Sequence, residues 1–192
     1  MNADPFDYSI PWPPGGEWTN AFLDALRDDV PYRTEIVDGN LVVSPKPHPW
    51  HLLVSRRIAN ALEDAAPPGI TAYEELEIRW NDGERVRRSL APDVAVAPFD
   101  LVDGEEPFAR PAAVQLVVEI VSPSSVVTDR EHKPRLYAAW GLPRMWVLDR
   151  SQGLTEYQLT QSGGPEVVQV LSSGRFSTDV PFPVVIDLDR LG

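Results

Sequence analysis

Cysteine is absent from these 192 residues, which rules out disulfides and thiolate metal sites alike. Lysine is almost absent: Lys46 and Lys133 are the two exceptions among 17 basic residues, the rest being arginine. A lysine at a special position is therefore conspicuous. No apolar run approaches the roughly 20 residues needed to span a bilayer, so no membrane association is expected. Basic charge is also in short supply, the formal net charge being −12. That balance argues against the broad electropositive surface of a non-specific nucleic-acid binder. It leaves room for a local basic groove and suits a site that collects divalent cations. The acidic, proline-rich N-terminus lacks a basic segment followed by an apolar one, so no secretory signal is read and a cytoplasmic protein is expected. No glycine-rich phosphate loop is present, which weakens a sugar- or nucleotide-binding β-rich domain.

What is there suits one domain with a sizeable core. Residues 1–16 carry Pro5, Pro11, Pro13, Pro14, Gly15 and Gly16 and read as an extended arm that Trp12 could pin down, with a single domain over 17–192. Trp18, Phe22, Leu23 and Leu26 predict a short amphipathic helix over Glu17–Arg27, stopped by Pro31. Asp38-Gly39-Asn40 between β-rich segments predicts a hairpin, its second strand broken by Pro45 and Pro47. A longer helix is expected over His51–Ala65, ended by Pro67-Pro68-Gly69. Ile70–Trp80 reads as one strand, and 99–111 as a surface loop. Leu116 to Val121 is an apolar run typical of a strand covered on both faces, stopped by Ser122, Pro123 and Ser124. A helix follows near Lys133, ended by Gly141 and Pro143, then a strand at 145–148 and closing β-segments at 154–159, 167–171 and 184–188. The order predicts a mixed α/β fold, one mixed sheet flanked by helices with extra C-terminal strands.

Glu119 interrupts the central strand, and an ionised carboxylate there is costly unless a cation or donor meets it. Asp93 sits likewise among β-branched apolar residues. With Lys133 close in sequence, these are the groups a hydrolytic Mg²⁺ (or Mn²⁺) site requires. Two carboxylates and a strand carbonyl suit a hard cation that keeps several waters. Such a cation polarises a phosphodiester and activates water, while a lysine steadies developing charge. Each residue has a plainer reading. Glu119 can be a structural ion pair with an arginine, Asp93 a strand-start residue, and Lys133 a solvated first-turn lysine. Glu35 can be an exposed hairpin residue and His51 a helix-start residue packed on the sheet. Arg85, Arg87 and Arg88 read as a solvated hairpin.

The ordered elements Tyr32–Gly39 with Glu35, Ser44-Pro45, His51, Pro92-Asp93-Val94, Val118–Ser124 with Glu119, Asp129…Lys133…Tyr137 and Gly141-Leu142-Pro143…Trp146–Asp149 resemble the Uma2 family, within the PD-(D/E)XK nuclease superfamily. The resemblance covers about residues 18–190. It implies a restriction-endonuclease-like core and Mg²⁺-dependent cleavage of DNA, with a homodimer as one assembly and the closing strands around Trp146 as its apolar surface. It makes Asp93 and Glu119 the metal-binding acids and Glu35 an auxiliary ligand. The lysine normally found two residues after the second acid is Val121 here, so its role passes to Lys133. His51 matches a family position without a derivable role. Pro134 follows Lys133 directly, so the helix either begins near His132 or kinks at the lysine. The rival is a catalytically inactive domain of the same fold that acts as a binding or oligomeric interaction protein.

Overall fold

The computed structural model describes residues 10, 12–29, 33–44, 47–104, 106–122 and 125–192. Most of the expected arm lies outside them, as do the expected breaks at Pro31, Pro45, Pro123 and Ser124. The chain forms two compact units, residues 1–46 with 79–90, and residues 47–78 with 91–192.

The first unit holds α1 (Asn20–Asp29) and a four-stranded sheet in the order β2-β1-β5-β4, from β1 (Arg33–Val37), β2 (Asn40–Ser44), β4 (Ile78–Asp82) and β5 (Arg85–Leu90). The hairpin is as expected: Val37 pairs with Asn40, and the two turn residues Asp38 and Gly39 both take positive φ, 49° and 81°. That is the turn whose twist matches antiparallel strands. Trp18, Leu23, Leu26, Ile36 and Val86 make the core. Trp12 is exposed but meets Trp18 edge-on, ring centroids 5.3 Å apart. Arg79, wholly buried, bonds Asn20 and Asp24 of α1 at 3.3 and 2.7 Å.

The second unit is built on a six-stranded sheet ordered β10-β9-β8-β7-β6-β3. Its strands are β3 (Ile70–Glu74), β6 (Val94–Pro98), β7 (Leu116–Ile120), β8 (Arg144–Asp149), β9 (Gly153–Thr160) and β10 (Gly164–Leu171). β7 and β8 run parallel, joined through α3 (Lys133–Ala139), and the other neighbours are antiparallel. The sheet is mixed, as expected. The strands β11 (Arg175–Thr178) and β12 (Val184–Asp187) form a separate pair, of which the sequence pattern had indicated only the second. Alternate side chains Val94, Val96, Leu116, Val118, Ile120, Trp146 and Leu148 face α2 (Pro49–Ala65), packing against Val54, Ile58 and Leu62. The intervening set, which includes Val117, Glu119 and Val147, faces the opposite side by the two-residue period of a strand.

Two expectations are corrected. Ile70–Trp80 is not one strand: Glu75 takes φ 54°, which turns the chain, and β3 and β4 enter different sheets. Trp146 offers no surface, since it is fully buried against Phe176. Among the described residues, no helix is long and apolar enough to cross a membrane.

Candidate active site

Strand register brings the two acids of the second unit together. Val94 pairs with Val118 in an antiparallel ladder, so the next opposed positions are Asp93 and Glu119. Side chains so opposed start only about 5 Å apart at Cβ. Asp93 stands just ahead of β6, 3% exposed, with each carboxylate oxygen engaged. Oδ2 accepts the Ile120 N–H at 2.6 Å, and Oδ1 meets His51 Nε2 at 3.0 Å. Its backbone carbonyl accepts the Ser55 hydroxyl and the Glu75 N–H, which fixes the strand entry. His51 is placed by the first turn of α2, where the His48 ring accepts the Trp50 N–H as an N-cap.

Glu119 is 1% exposed, and a lysine and a tyrosine bond its two oxygens. Lys133 Nζ donates to Oε2 at 2.8 Å and the Tyr137 hydroxyl to Oε1 at 2.6 Å. Lys133, 5% exposed, also meets Asp129 Oδ1 at 3.4 Å. The solvated-lysine reading therefore fails. Burial removes hydration from the ammonium, and the two carboxylates replace it.

The first expectation holds: α3 starts at Lys133 with His132 as its N-cap, which places Pro134 inside its first turn. The turn over Thr128–His132 is a π-helix, and the Lys133 N–H bonds Thr128 O, five residues back. A proline two positions into an α-turn would press on the carbonyl four residues earlier, that of Arg130. The wider turn relieves that contact and carries Lys133 inward. Arg130, on the same turn, binds Asp149 Oδ2 at 2.5 Å at the end of β8. Burial would raise the Asp149 carboxyl, but hydrogen bonds from the Ser151 hydroxyl and N–H, with Arg130, hold it below its ordinary value.

Asp129 and Tyr137 are site residues to which sequence reasoning gave no role. The signal was present: 129, 133 and 137 recur at i, i+4 and i+8, one face of a helix. Tyr137 instead reads as part of an apolar stripe, because its ring is buried and only its hydroxyl is polar. Burial pushes the Asp129 carboxyl above its ordinary value, and the Asp93 charge adds to this against Lys133 and a Ser125 hydrogen bond.

Glu35 belongs to the first unit. It is 4% exposed on β1, with Arg33 at 3.5 Å, and is not the exposed hairpin residue of the plainer reading. Of the arginines on β5, Arg85, Arg87 and Arg88 are each paired with an acid of their own unit, Glu17, Asp82 and Asp38.

Three buried carboxylates gather here: Glu119 and Asp129 meet the Lys133 ammonium, and Asp93 opposes Glu119 across the ladder. Among the described residues no three His, Asp or Glu groups already stand at ligand spacing. The donor chemistry nevertheless fits a hard divalent cation. Two opposed carboxylates keep a second lone pair on each oxygen, and Mg²⁺ fills most of its shell with water.

The Uma2 family model, described as "putative restriction endonuclease", matches residues 20–189. A crystal structure from Anabaena variabilis, described as a "putative nuclease belonging to DUF820", is similar in fold. Its TM-score is 0.63 and its identity 16%, covering 91% of this chain and 97% of that one. Among curated proteins, none matches the sequence.

Proposed function

The chain belongs to the Uma2 family, and from that premise we propose that it is a Mg²⁺-dependent endonuclease hydrolysing phosphodiester bonds in cytoplasmic DNA. The observation that carries this reading is the buried acidic cluster in which Asp93 opposes Glu119 while Lys133 meets Glu119 and Asp129.

Asp93 and Glu119 would hold the cation, with Mn²⁺ as its substitute. When bound, it supplies Lewis-acid polarisation of the phosphate and a more acidic water. The chain's own groups do the rest. His51 Nε2 and the Ile120 N–H orient Asp93, and the Tyr137 hydroxyl orients Glu119. Lys133 balances Glu119 in the resting protein, and its ammonium is the group able to orient attacking water and steady charge growing on the phosphate. Asp129 keeps that ammonium from turning away. Glu35 enters as an auxiliary ligand through the resemblance alone, and no step is assigned to it.

A non-catalytic binding role is favoured by one observation: both oxygens of Glu119 already hold protein donors. Calorimetric titration with Mg²⁺ separates the readings, specific heat that is lost in Asp93→Asn supporting the nuclease. Plasmid nicking with and without Mg²⁺ or Mn²⁺ tests the activity. Glu119→Gln is the informative variant, because it removes the charge but keeps the side-chain volume, where alanine would also leave a cavity. Full nicking by both Asp93→Asn and Glu119→Gln rejects the assignment.

A homodimer belongs to the same proposal. β10 is an outer strand of its sheet with Val167, Val168 and Val170 exposed, the kind of edge a second copy can pair with.

A further inference from the structure

Beside the acid cluster, within the second unit, lies a pocket of about 350 Å³. Trp50 and His51 line it from the start of α2, Val121 and Ser122 from just beyond Glu119, Val126 from the head of the helix carrying Lys133, and Arg150 from the turn after β8. Its link to the acids runs through lining residues: His51 is bonded to Asp93, and Val121 follows Glu119 by two residues on the same chain segment.

Its chemistry is specific. The lining is mostly apolar, which a bare phosphate would not need. Trp50 is half-buried, and the exposed Arg150 guanidinium lies over its ring, 5.4 Å from the centroid. An aromatic face beside a guanidinium plane is the pairing that stacks a nucleobase. Polar groups for a base edge are also present. Ser122 lines the wall, and the Nδ1 of His51 is buried without a hydrogen-bond partner among the described residues.

We propose that this pocket takes one unpaired nucleobase next to the scissile phosphate, so that the substrates are single-stranded or locally unpaired DNA rather than intact duplex. The inference rests on the nuclease reading and names its substrate class. A base inside a duplex is stacked on both sides and cannot enter such a pocket without being extruded, at a cost that falls to almost nothing when it is already unpaired. The net charge of −12 argues against a broad positive surface with which to offset that cost along a duplex.

The test uses the full chain and a single-stranded oligonucleotide carrying one 2-aminopurine, in EDTA so that binding is read without cleavage. The wild type quenches the fluorophore and binds about 10–100-fold more tightly than it binds matched duplex or the same strand with an abasic site, the ratio one stacked base supplies. Trp50→Ala loses that margin. Trp50 also packs on the core, so Val126→Trp, at an exposed position, provides a second variant that fills the pocket without removing a core contact. Equal affinity for intact and abasic strands, or unchanged quenching in both folded variants, overturns the proposal. Failure of the two readings is distinguishable. Base-dependent binding without any Mg²⁺- or Mn²⁺-dependent cleavage removes the nuclease and leaves the pocket. Cleavage whose substrate preference is unchanged in both variants removes the pocket and leaves the nuclease.

Discussion

Lys133 and Glu119 form a buried pair, and a double-substitution cycle measures their coupling. Glu119→Gln keeps the shape and the Tyr137 contact but takes the closer carboxylate from the ammonium, which still meets Asp129 at 3.4 Å. Lys133→Met keeps the bulk and leaves Glu119 charged and bonded to the Tyr137 hydroxyl. Removing one member of a buried ion pair costs about 3–5 kcal/mol, most of it the penalty of stranding the other charge. Removing both strands neither, so the double variant should cost clearly less than the sum, with a coupling of about 3 kcal/mol. Urea unfolding midpoints and slopes of the four proteins give these values. Single effects that add to within about 0.5 kcal/mol would refute the reasoning, since that is the behaviour of independent sites. The same variants carry a second reading. Saturating Mg²⁺ at about 100 times its Kd should stabilise the wild type by about 2.7 kcal/mol. The gain should grow in Lys133→Met, where the carboxylates lose their one ammonium, and vanish in Asp93→Asn.

Glu63 accepts hydrogen bonds from the Thr71 hydroxyl and the Ala72 N–H, tying α2 to β3, and the first of these is the main cause of its lowered pKa. Its contribution is therefore present above the ordinary carboxylate range and lost as pH falls through the lower folded value. Glu63→Gln should flatten the stability curve in that window, read by urea unfolding across pH. Gly153 takes φ 85°, and a Cβ there would lie 2.1 Å from Leu171 O, so Gly153→Ala should cost at least about 1–3 kcal/mol by opening the β9–β10 pairing, seen as a lower Tm. Pro134→Ala should lose only about 0.4–1 kcal/mol, through the freer unfolded chain, since the π-turn already spares the proline its clash; a larger loss by urea unfolding contradicts that account. Val168→Lys should abolish self-association by β10 in sedimentation velocity without changing the fold, and an unchanged dimer excludes that edge.

Local chemistry was enough to read much of this chain. The Asp38-Gly39 turn, the apolar period of α2 with its Pro67-Pro68-Gly69 stop, and the β7 run each depend on contacts within a few residues, so they show in the pattern itself. The same holds for the recognition that Asp93 and Glu119, set in apolar strands, need partners. What those partners are was decided by tertiary structure. Register alone opposes 93 to 119, and a π-turn visible in no propensity aims Lys133 at Glu119 and sets the Tyr137 hydroxyl beside it. The break at Glu75 likewise reflects one residue at positive φ inside an otherwise strand-like stretch. Periodicity records which face of an element is apolar. It does not record which distant face will cover it, and the burial that makes a charge costly, or a pocket beside Trp50 available, exists once that second face has arrived.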